Sequence, residues 1–423
     1  MRRSDIFMNK KSIEDIEIKG RKVLVRVDFN VPLDQDLNIT DDNRIQKAME
    51  TINYILGARG KLILMSHLGR PKGEKKKEFS LKPVAEYLSK LLSKPVRLLD
   101  DCIGSGVKTV IDQMNEGDVV LLENLRFHKG ETKNDSEFAK KLAELGDVFV
   151  NDAFGTCHRA HASTEGITHY LESVSGFLVK KEIEYFSKIL TSSVKPFIFI
   201  LGGAKVSDKI PVIENMIDKA DCFLIGGAMA YTFMKVQGID VGSSRVEEES
   251  FEIVEKILKK AKDKGVEILL PVDHVITDDI KEATNVKTTE GASVDAGFMA
   301  VDIGPKTIEL FCDKIKEAKT IVWNGPVGIF EKDLFAQGSK AIAIAIAASS
   351  ATSVIGGGDT AAAVAKFSLA DAMSHISTGG GASLEYLEGK VLPGVAALAD
   401  KDEGRREKGE GRREKGEGRS EEN

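Results

Sequence analysis

Short apolar runs alternate with helical apolar faces along most of this chain. Lys22–Val27 (KVLVRV), 62–65, 119–122 and 148–150 are β-branched and aliphatic runs of the kind that form buried strands. Between them, Ile45, Ala48, Met49, Ile52, Ile55 and Leu56 share one helical face before Gly57. Leu81, Val84, Ala85, Leu88, Leu91 and Leu92 share another, with Ser80 as the expected cap. Residues 179–190 (VKKEIEYFSKIL) predict a helix, and the polar TSSVKP after it marks a junction between two halves. Beyond the junction the alternation resumes with Phe197–Leu201. Residues 341–347 alternate Ala and Ile with the period of a strand, but no turn residues bound them, so they are read as a buried helix. Strands alternating with helices imply a mostly parallel sheet covered on both faces. The expected fold class is therefore α/β, with two doubly wound parallel-sheet domains joined by a hinge helix.

The stretch LGGAKVSDK, residues 201–209, is the most informative turn. A strand runs into two glycines, then Lys205, then Ser207 and Asp208, both able to cap a helix. Pro211 is tolerated in a first helical turn, so a helix is expected to start near Ser207, with Lys209 in its first turn. Two ammonium groups, unpaired backbone donors and a positive helix end would then converge, which suits a phosphate. The spacing is not that of a Walker A loop. By itself the turn is equally well explained as a strand–helix connection with solvated lysines.

The polar residues after the other strands change that balance. In open parallel sheets, ligands bind outside the carboxyl ends of the strands. There the first half places Asp28, Asn30, His67, Arg70, Arg126, His128, His158, Arg159 and His161, with Arg44 opening the first helix. Any one of these reads as a solvated loop charge, but four successive strand ends offering Arg or His define a pocket for a small, multiply charged anion. His158 and His161 stand at i, i+3 like a metal pair, yet no third ligand has plausible spacing and Arg159 lies between them. The second half instead ends its strands in glycine: LGGAK, LIGGAMA, VWNGPVGIFE, VIGGGDTAAA and ISTGGGASLE. Glycine admits close backbone approach to a phosphate or base, and Asp359 offers an oxygen ligand for Mg²⁺ shared with nucleotide phosphates.

Composition narrows the classes. At 423 residues the chain has material for two cores, and 42% hydrophobic with 30% charged residues is ordinary for a globular protein. No apolar run approaches the roughly 18 residues of a membrane span, and the first residues, MRRSDIFMNKKS, lack the apolar region of a secretory signal. Cys102, Cys157, Cys222 and Cys312 are scattered without metal-ligand spacing and suit buried thiols in a reducing compartment. A formal net charge of −6 argues against nucleic-acid binding. Residues 401–423 contain GRREKGE twice, and their eight basic and eight acidic side chains cancel. Such a stretch cannot bury a core and is expected to be a disordered tail.

Together, RVDFNVP, DDNRI, SHLGRPKG, LLENLRFHKGE, NDAFGTCHRAHAS, LGGAKVSDKI, LIGGAMAYTF, WNGPVGIFE, GGGDTAA and STGGGASLE resemble phosphoglycerate kinase, in the family's order and from about residue 11 to 401. The resemblance implies reversible phosphoryl transfer from 1,3-bisphosphoglycerate to ADP, giving 3-phosphoglycerate and ATP in glycolysis. It implies a triose-phosphate domain at 1–184, a hinge helix at 185–196 and a nucleotide domain at 197–388. Residues 389–400 would return to the first domain, ahead of the tail. Its triose-phosphate site maps onto Asp28, Phe29, Asn30, Arg44, His67, Leu68, Gly69, Arg70, Arg126 and Arg159. Its nucleotide site maps onto Lys205, Lys209, Ala300, Asn324, Glu331, Gly357, Gly358, Asp359 and Thr360. The resemblance gives Arg44, Lys209, Gly380 and Gly381 the transferring phosphoryl group, and Asp359 the Mg²⁺. Where the family commonly has glycine near the adenine, this chain has Ala300. A cytoplasmic monomer without nucleic-acid or membrane partners is expected. A Rossmann dehydrogenase would share the α/β pattern but lacks its G-x-G-x-x-G here, whereas a non-catalytic nucleotide-binding scaffold would have no need of Arg44, Lys209 and Asp359 together.

Overall fold

The computed structural model describes residues 9–401, so the repeated charged stretch beyond them lies outside the described residues. The chain packs as two compact units. Among the described residues, one comprises 9–184 and 391–401, and the other is Tyr185–Lys390. The helix Phe177–Ser192 carries the chain from the first to the second.

The first unit is built on β1 (Lys22–Val27), β2 (Lys61–Met65), β3 (Val96–Leu98), β4 (Val119–Leu121), β5 (Val148–Asp152) and β6 (Ser173–Ser175). They form one parallel sheet in the order β3-β4-β2-β1-β5-β6. β1 sits where the order reverses: β2 lies to one side of it and β5 to the other. Apolar side chains from alternate faces of these strands feed two cores, one around Val23, Val25, Leu62 and Leu64, the other around Leu24, Ile63, Phe149 and Val120. That division is what a strand buried on both faces produces.

The second unit repeats the plan with β7 (Phe197–Leu201), β8 (Cys222–Ile225), β9 (Glu267–Leu269), β13 (Thr320–Asn324), β14 (Thr352–Gly356) and β15 (His375–Ile376). Their order is β15-β14-β13-β7-β8-β9, again all parallel, with the reversal between β7 and β13. A small antiparallel sheet of β10 (His274–Thr277), β11 (Val286–Thr288) and β12 (Met299–Ile303) accompanies it. Both large sheets thus expose a ligand-binding edge at the carboxyl ends of the strands flanking the reversal.

Residues 341–347 are indeed helical, within Gln337–Ala348, but buried only along Ile342, Ala343 and Ile346, while Ile344 faces outward. Two helix starts differ from expectation. The helix after Ser80 begins at Lys82, with Leu81 at the cap position, yet Ser80 still serves the helix start: its hydroxyl accepts from the Lys82 amide at 3.2 Å while donating to Glu123, which also takes the Leu81 amide. The helix expected near Ser207 begins at Ile210, with Lys209 at its cap position. The Ser207 amide donates to Glu247 Oε2 at 2.9 Å, and the amides of Lys209 and Ile210 close onto the Val206 carbonyl. The 206–209 turn thus leads directly into the helix, and Glu247, a buried carboxylate from a distant loop, takes an amide of that turn that would have no helical partner.

Candidate active site

In the first unit, the loops after β1, β2, β4 and β5 open on one edge and are tied to one another. Asp28, just past β1, accepts a hydrogen bond from Arg44 at the start of the helix Asn43–Gly57. Asn30 Oδ1 accepts from the Gly69 amide at 2.8 Å, and Arg126 Nη1 donates to the Gly69 carbonyl at 2.8 Å. Gly69 has φ +60°, and a Cβ there would lie 2.4 Å from the Phe79 ring, so only glycine fits. Arg70, Arg126 and Arg159 converge on a cavity of about 460 Å³ that Lys72, Lys129, Lys133 and His128 also line. Its lining residues include no carboxylate. Burial, with the Arg26 charge, pulls the Arg126 pKa down to about 10, although Glu131 opposes the fall. Cations crowded in this way favour an anionic ligand.

Behind that cavity runs a buried network whose central member is Arg26, a lone charge inside the apolar run of β1. Arg26 Nε donates to Ser163 Oγ at 2.9 Å, and Ser163 donates in turn to Glu131 Oε1 at 2.6 Å and through its amide to Oε2 at 3.1 Å. Arg26 and Glu131 are both fully buried. Burial lowers the guanidinium pKa and raises that of the carboxyl, and each charge opposes the shift of the other. Arg26 Nη2 also lies 3.0 Å from His67 Nδ1. Arginine can only donate, so Nδ1 is the acceptor and the ring proton resides on Nε2. Burial and the Arg26 charge hold His67 well below the usual imidazole pKa. His67 is thus a neutral ring of fixed tautomer, a donor rather than a titrating base. His161 Nδ1 stands 3.8 Å from Glu131, and burial holds its pKa down at about 4.

In the second unit, the turns after β7, β13 and β14 meet across the reversal. A Cβ on Gly202 would lie 2.1 Å from the Pro326 carbonyl oxygen, so the two turns are pressed backbone to backbone. Here lies a cavity of about 470 Å³ that gathers Lys205, Asp208, Lys209, Asn324, Gly357, Gly358, Asp359, Thr360, Gly380 and Gly381. Lys209 Nζ donates to Asn324 Oδ1. Asn324 Nδ2, by contrast, is buried and has no hydrogen-bond partner among the described residues. A buried amide donor left unpaired costs about 1–3 kcal/mol, which an acceptor entering the cavity would recover. Burial lowers the Lys209 pKa, with Asp208, Asp359 and Glu388 opposing. Asp359 itself is exposed in the first turn of the helix Gly358–Lys366, after Gly357 at φ +90°. Thr360 is buried, and its Oγ1 accepts from the Gly325 amide at 2.7 Å.

Some expected residues stand elsewhere. The side chains of Phe29 and Leu68 are buried in the core beside the sheet, so only their backbones face the loops. Ala300 sits on β12 against an apolar group that includes Ala228, Tyr231 and Met234, apart from the phosphate-sized cavity. Glu331 is exposed and likewise not among that cavity's lining residues. Several contributors leave little mark in the sequence. Arg26 carried a signal, a charge amid apolar strand residues, whereas Glu131, Ser163, Lys129 and Lys133 carried none; Asp208, expected as a helix cap, instead lines the cavity of the second unit. Cys102 proves to lie with Asp101 and His128, three ligand-type atoms within 4.8 Å of one another. The His158–His161 pair does not belong to that group.

Two doubly wound α/β units, one with an edge of arginines and the other with glycine turns, lysines and a carboxylate, define a phosphotransferase. Residues 13–390 match the phosphoglycerate kinase family. A phosphoglycerate kinase of Thermosipho africanus is 56% identical over 93% of this chain and 99% of its own length. One from Clostridium botulinum is 54% identical over 93% and 99%. The solved phosphoglycerate kinase of Coxiella burnetii superposes with a TM-score of 0.85 at 42% identity, covering 92% of this chain and 98% of its own. That of Pyrococcus horikoshii gives 0.81 at 33% identity with the same coverage. The chain belongs to the phosphoglycerate kinase family of glycolytic kinases.

Proposed function

We propose that this chain transfers a phosphoryl group reversibly between 1,3-bisphosphoglycerate and ADP, yielding 3-phosphoglycerate and ATP, and that it works as a cytoplasmic monomer. The observation that carries this reading is the pairing of two strand-end clusters. One is a cavity lined by cations without carboxylates; the other combines Lys205, Lys209, the unpaired Asn324 amide and Asp359.

In this reading, residues 1–184 bind the triose phosphate and residues 197–388 bind the nucleotide. Arg70, Arg126 and Arg159 grip the phosphate of the phosphoglycerate, with their forks matched to its oxygens. Asp28, Asn30, Gly69 and neutral His67 orient its remaining polar groups. Arg44, released from Asp28, turns its guanidinium to the carboxyl end. Lys205, Asn324 and the turn at Gly357 and Gly358 hold the nucleotide phosphates. Lys209 and the backbone around Gly380 and Gly381 face the group in flight. Asp359 suits Mg²⁺: it is an exposed carboxylate beside two lysines in a phosphate-sized cavity, the single hard ligand that a phosphate-bound Mg²⁺ needs. When bound, the ion neutralises charge on the phosphate oxygens.

A coupled assay supplying 1,3-bisphosphoglycerate and Mg-ADP is expected to record ATP formation. No turnover by folded protein would reduce the chain to a nucleotide-binding scaffold. Because the two substrates belong to different units, in-line transfer also requires hinge closure. Small-angle scattering is expected to give a smaller radius of gyration with 3-phosphoglycerate and Mg-nucleotide together than with either alone. An unchanged radius at saturation would remove closure from the mechanism.

A further inference from the structure

β3 and β4 are parallel neighbours in register, Leu98 opposite Leu121, so the loops after them leave the sheet side by side. The first loop carries Asp101 and Cys102. The second runs through a short turn, Leu125–Phe127, to His128. Their ligand atoms come together: Asp101 Oδ1 is 2.6 Å from His128 Nε2, and Cys102 Sγ completes a group within 4.8 Å. Two further contacts fix the carboxylate and the ring. The Cys102 amide donates to Asp101 Oδ1 at 2.7 Å, drawing the carboxylate over its own residue. The His128 ring stacks on Phe138 at 5.1 Å between centroids. Cys102 is fully buried, whereas Asp101 and His128 are partly open to solvent, 49% and 29% exposed at their side chains. A cavity of about 500 Å³, lined by Asp100, Asp101, Ile103 and Gly104, adjoins the group and has room for water.

We propose that Asp101, Cys102 and His128 form a binding site for a borderline-soft divalent cation of the zinc class, with water as the fourth ligand. One sulfur, one imidazole nitrogen and one carboxylate oxygen are donors that such an ion accepts in a tetrahedral shell. A thiolate and a carboxylate together cancel its two positive charges, so the complex is neutral where it is half-buried. The sulfur selects against Mg²⁺, which takes oxygen ligands. Binding breaks the Asp101–His128 hydrogen bond and releases the Cys102 thiol proton to solvent. Zinc-type bonds of about 2.0–2.3 Å set neighbouring tetrahedral ligands about 3.3–3.6 Å apart, so Asp101 and His128 must open from 2.6 Å while both draw about 1 Å toward the Cys102 sulfur, a shift within reach of these two partly exposed side chains. The site is separate from the cavity proposed for Mg-nucleotide, which belongs to the other unit, and it shares only His128 with the arginine-lined cavity of its own unit.

Cobalt(II) titration of the full-length, untagged, reduced chain tests the site. One equivalent is expected to produce a near-ultraviolet thiolate-to-cobalt charge-transfer band and visible tetrahedral bands, both abolished by adding zinc. Asp101→Asn and Cys102→Ala are expected to lose the charge-transfer band or weaken its half-saturation by about 10–100-fold or more. Asp101→Asn changes a surface side chain, so it remains informative if Cys102→Ala folds poorly. Absence of the band in the wild type, or its persistence unchanged in folded Cys102→Ala, overturns the proposal; the latter would move the metal to another cysteine.

Discussion

Lys209→Ala is expected to lower kcat by about 10²–10³-fold, the usual cost of removing one preorganised charge donor. KM for either substrate should change only a few-fold. The ammonium is partly buried, lies beside Asp359 and is anchored on Asn324 Oδ1. It need not reorganise as charge moves between the donor and acceptor oxygens, so its contact is strongest in the transition state. Arg44→Ala should behave similarly. Arg126→Ala should mainly raise KM for phosphoglycerate, since Arg126 belongs to the cavity that holds the substrate rather than to the reacting group. Steady-state kinetics in both directions separate these cases. If Lys209→Ala raised KM for ATP and left kcat intact, the lysine would be a nucleotide anchor. The transition-state role would then pass to Lys205 or to the backbone at Gly380 and Gly381.

The second large effect concerns stability. Glu131→Ala is expected to cost about 3–5 kcal/mol, the range for removing one partner of a buried charge pair. Glu131 and Arg26 are fully buried, and Ser163 bridges them. Without the carboxylate, Arg26 keeps mainly the weaker attraction of Asp28. Urea unfolding followed by far-ultraviolet circular dichroism measures the loss. The single tryptophan, Trp323, belongs to the other unit, so its fluorescence transition serves as a comparison. A cost below about 1 kcal/mol would mean that Asp28 and solvent suffice to hold Arg26. Because Arg26 donates to His67 Nδ1, the same substitution should also weaken phosphoglycerate binding, a consequence confined to the site.

Much of the architecture was legible because it is local. β1 and β7 occupy Lys22–Val27 and Phe197–Leu201, the runs that the apolar pattern marks, since a strand buried on both faces needs unbroken apolar residues. The Ala and Ile stretch inside Gln337–Ala348 was decided by what was missing around it, namely turn residues. Charged groups at successive strand ends are assignable to one edge from the sequence alone, because a parallel sheet leaves them no other place.

What the sequence by itself determined was therefore the order of elements, the α/β class and the side of each sheet on which the polar loops gather. These follow from periodicity and chain direction, which act over a few residues at a time. The tertiary structure alone decided which side chains meet. Glu131 reaches Arg26 through Ser163, Glu247 takes the Ser207 amide just ahead of the helix that starts at Ile210, and Asn324 pairs with Lys209 while keeping one buried donor unpaired. Asp101 and Cys102 likewise find His128 only because β3 and β4 lie in register. In each case the partners are dozens of residues apart or come from different strand ends. Their meeting is fixed by sheet order and register, quantities that depend on all strands packing at once and leave no trace in local spacing.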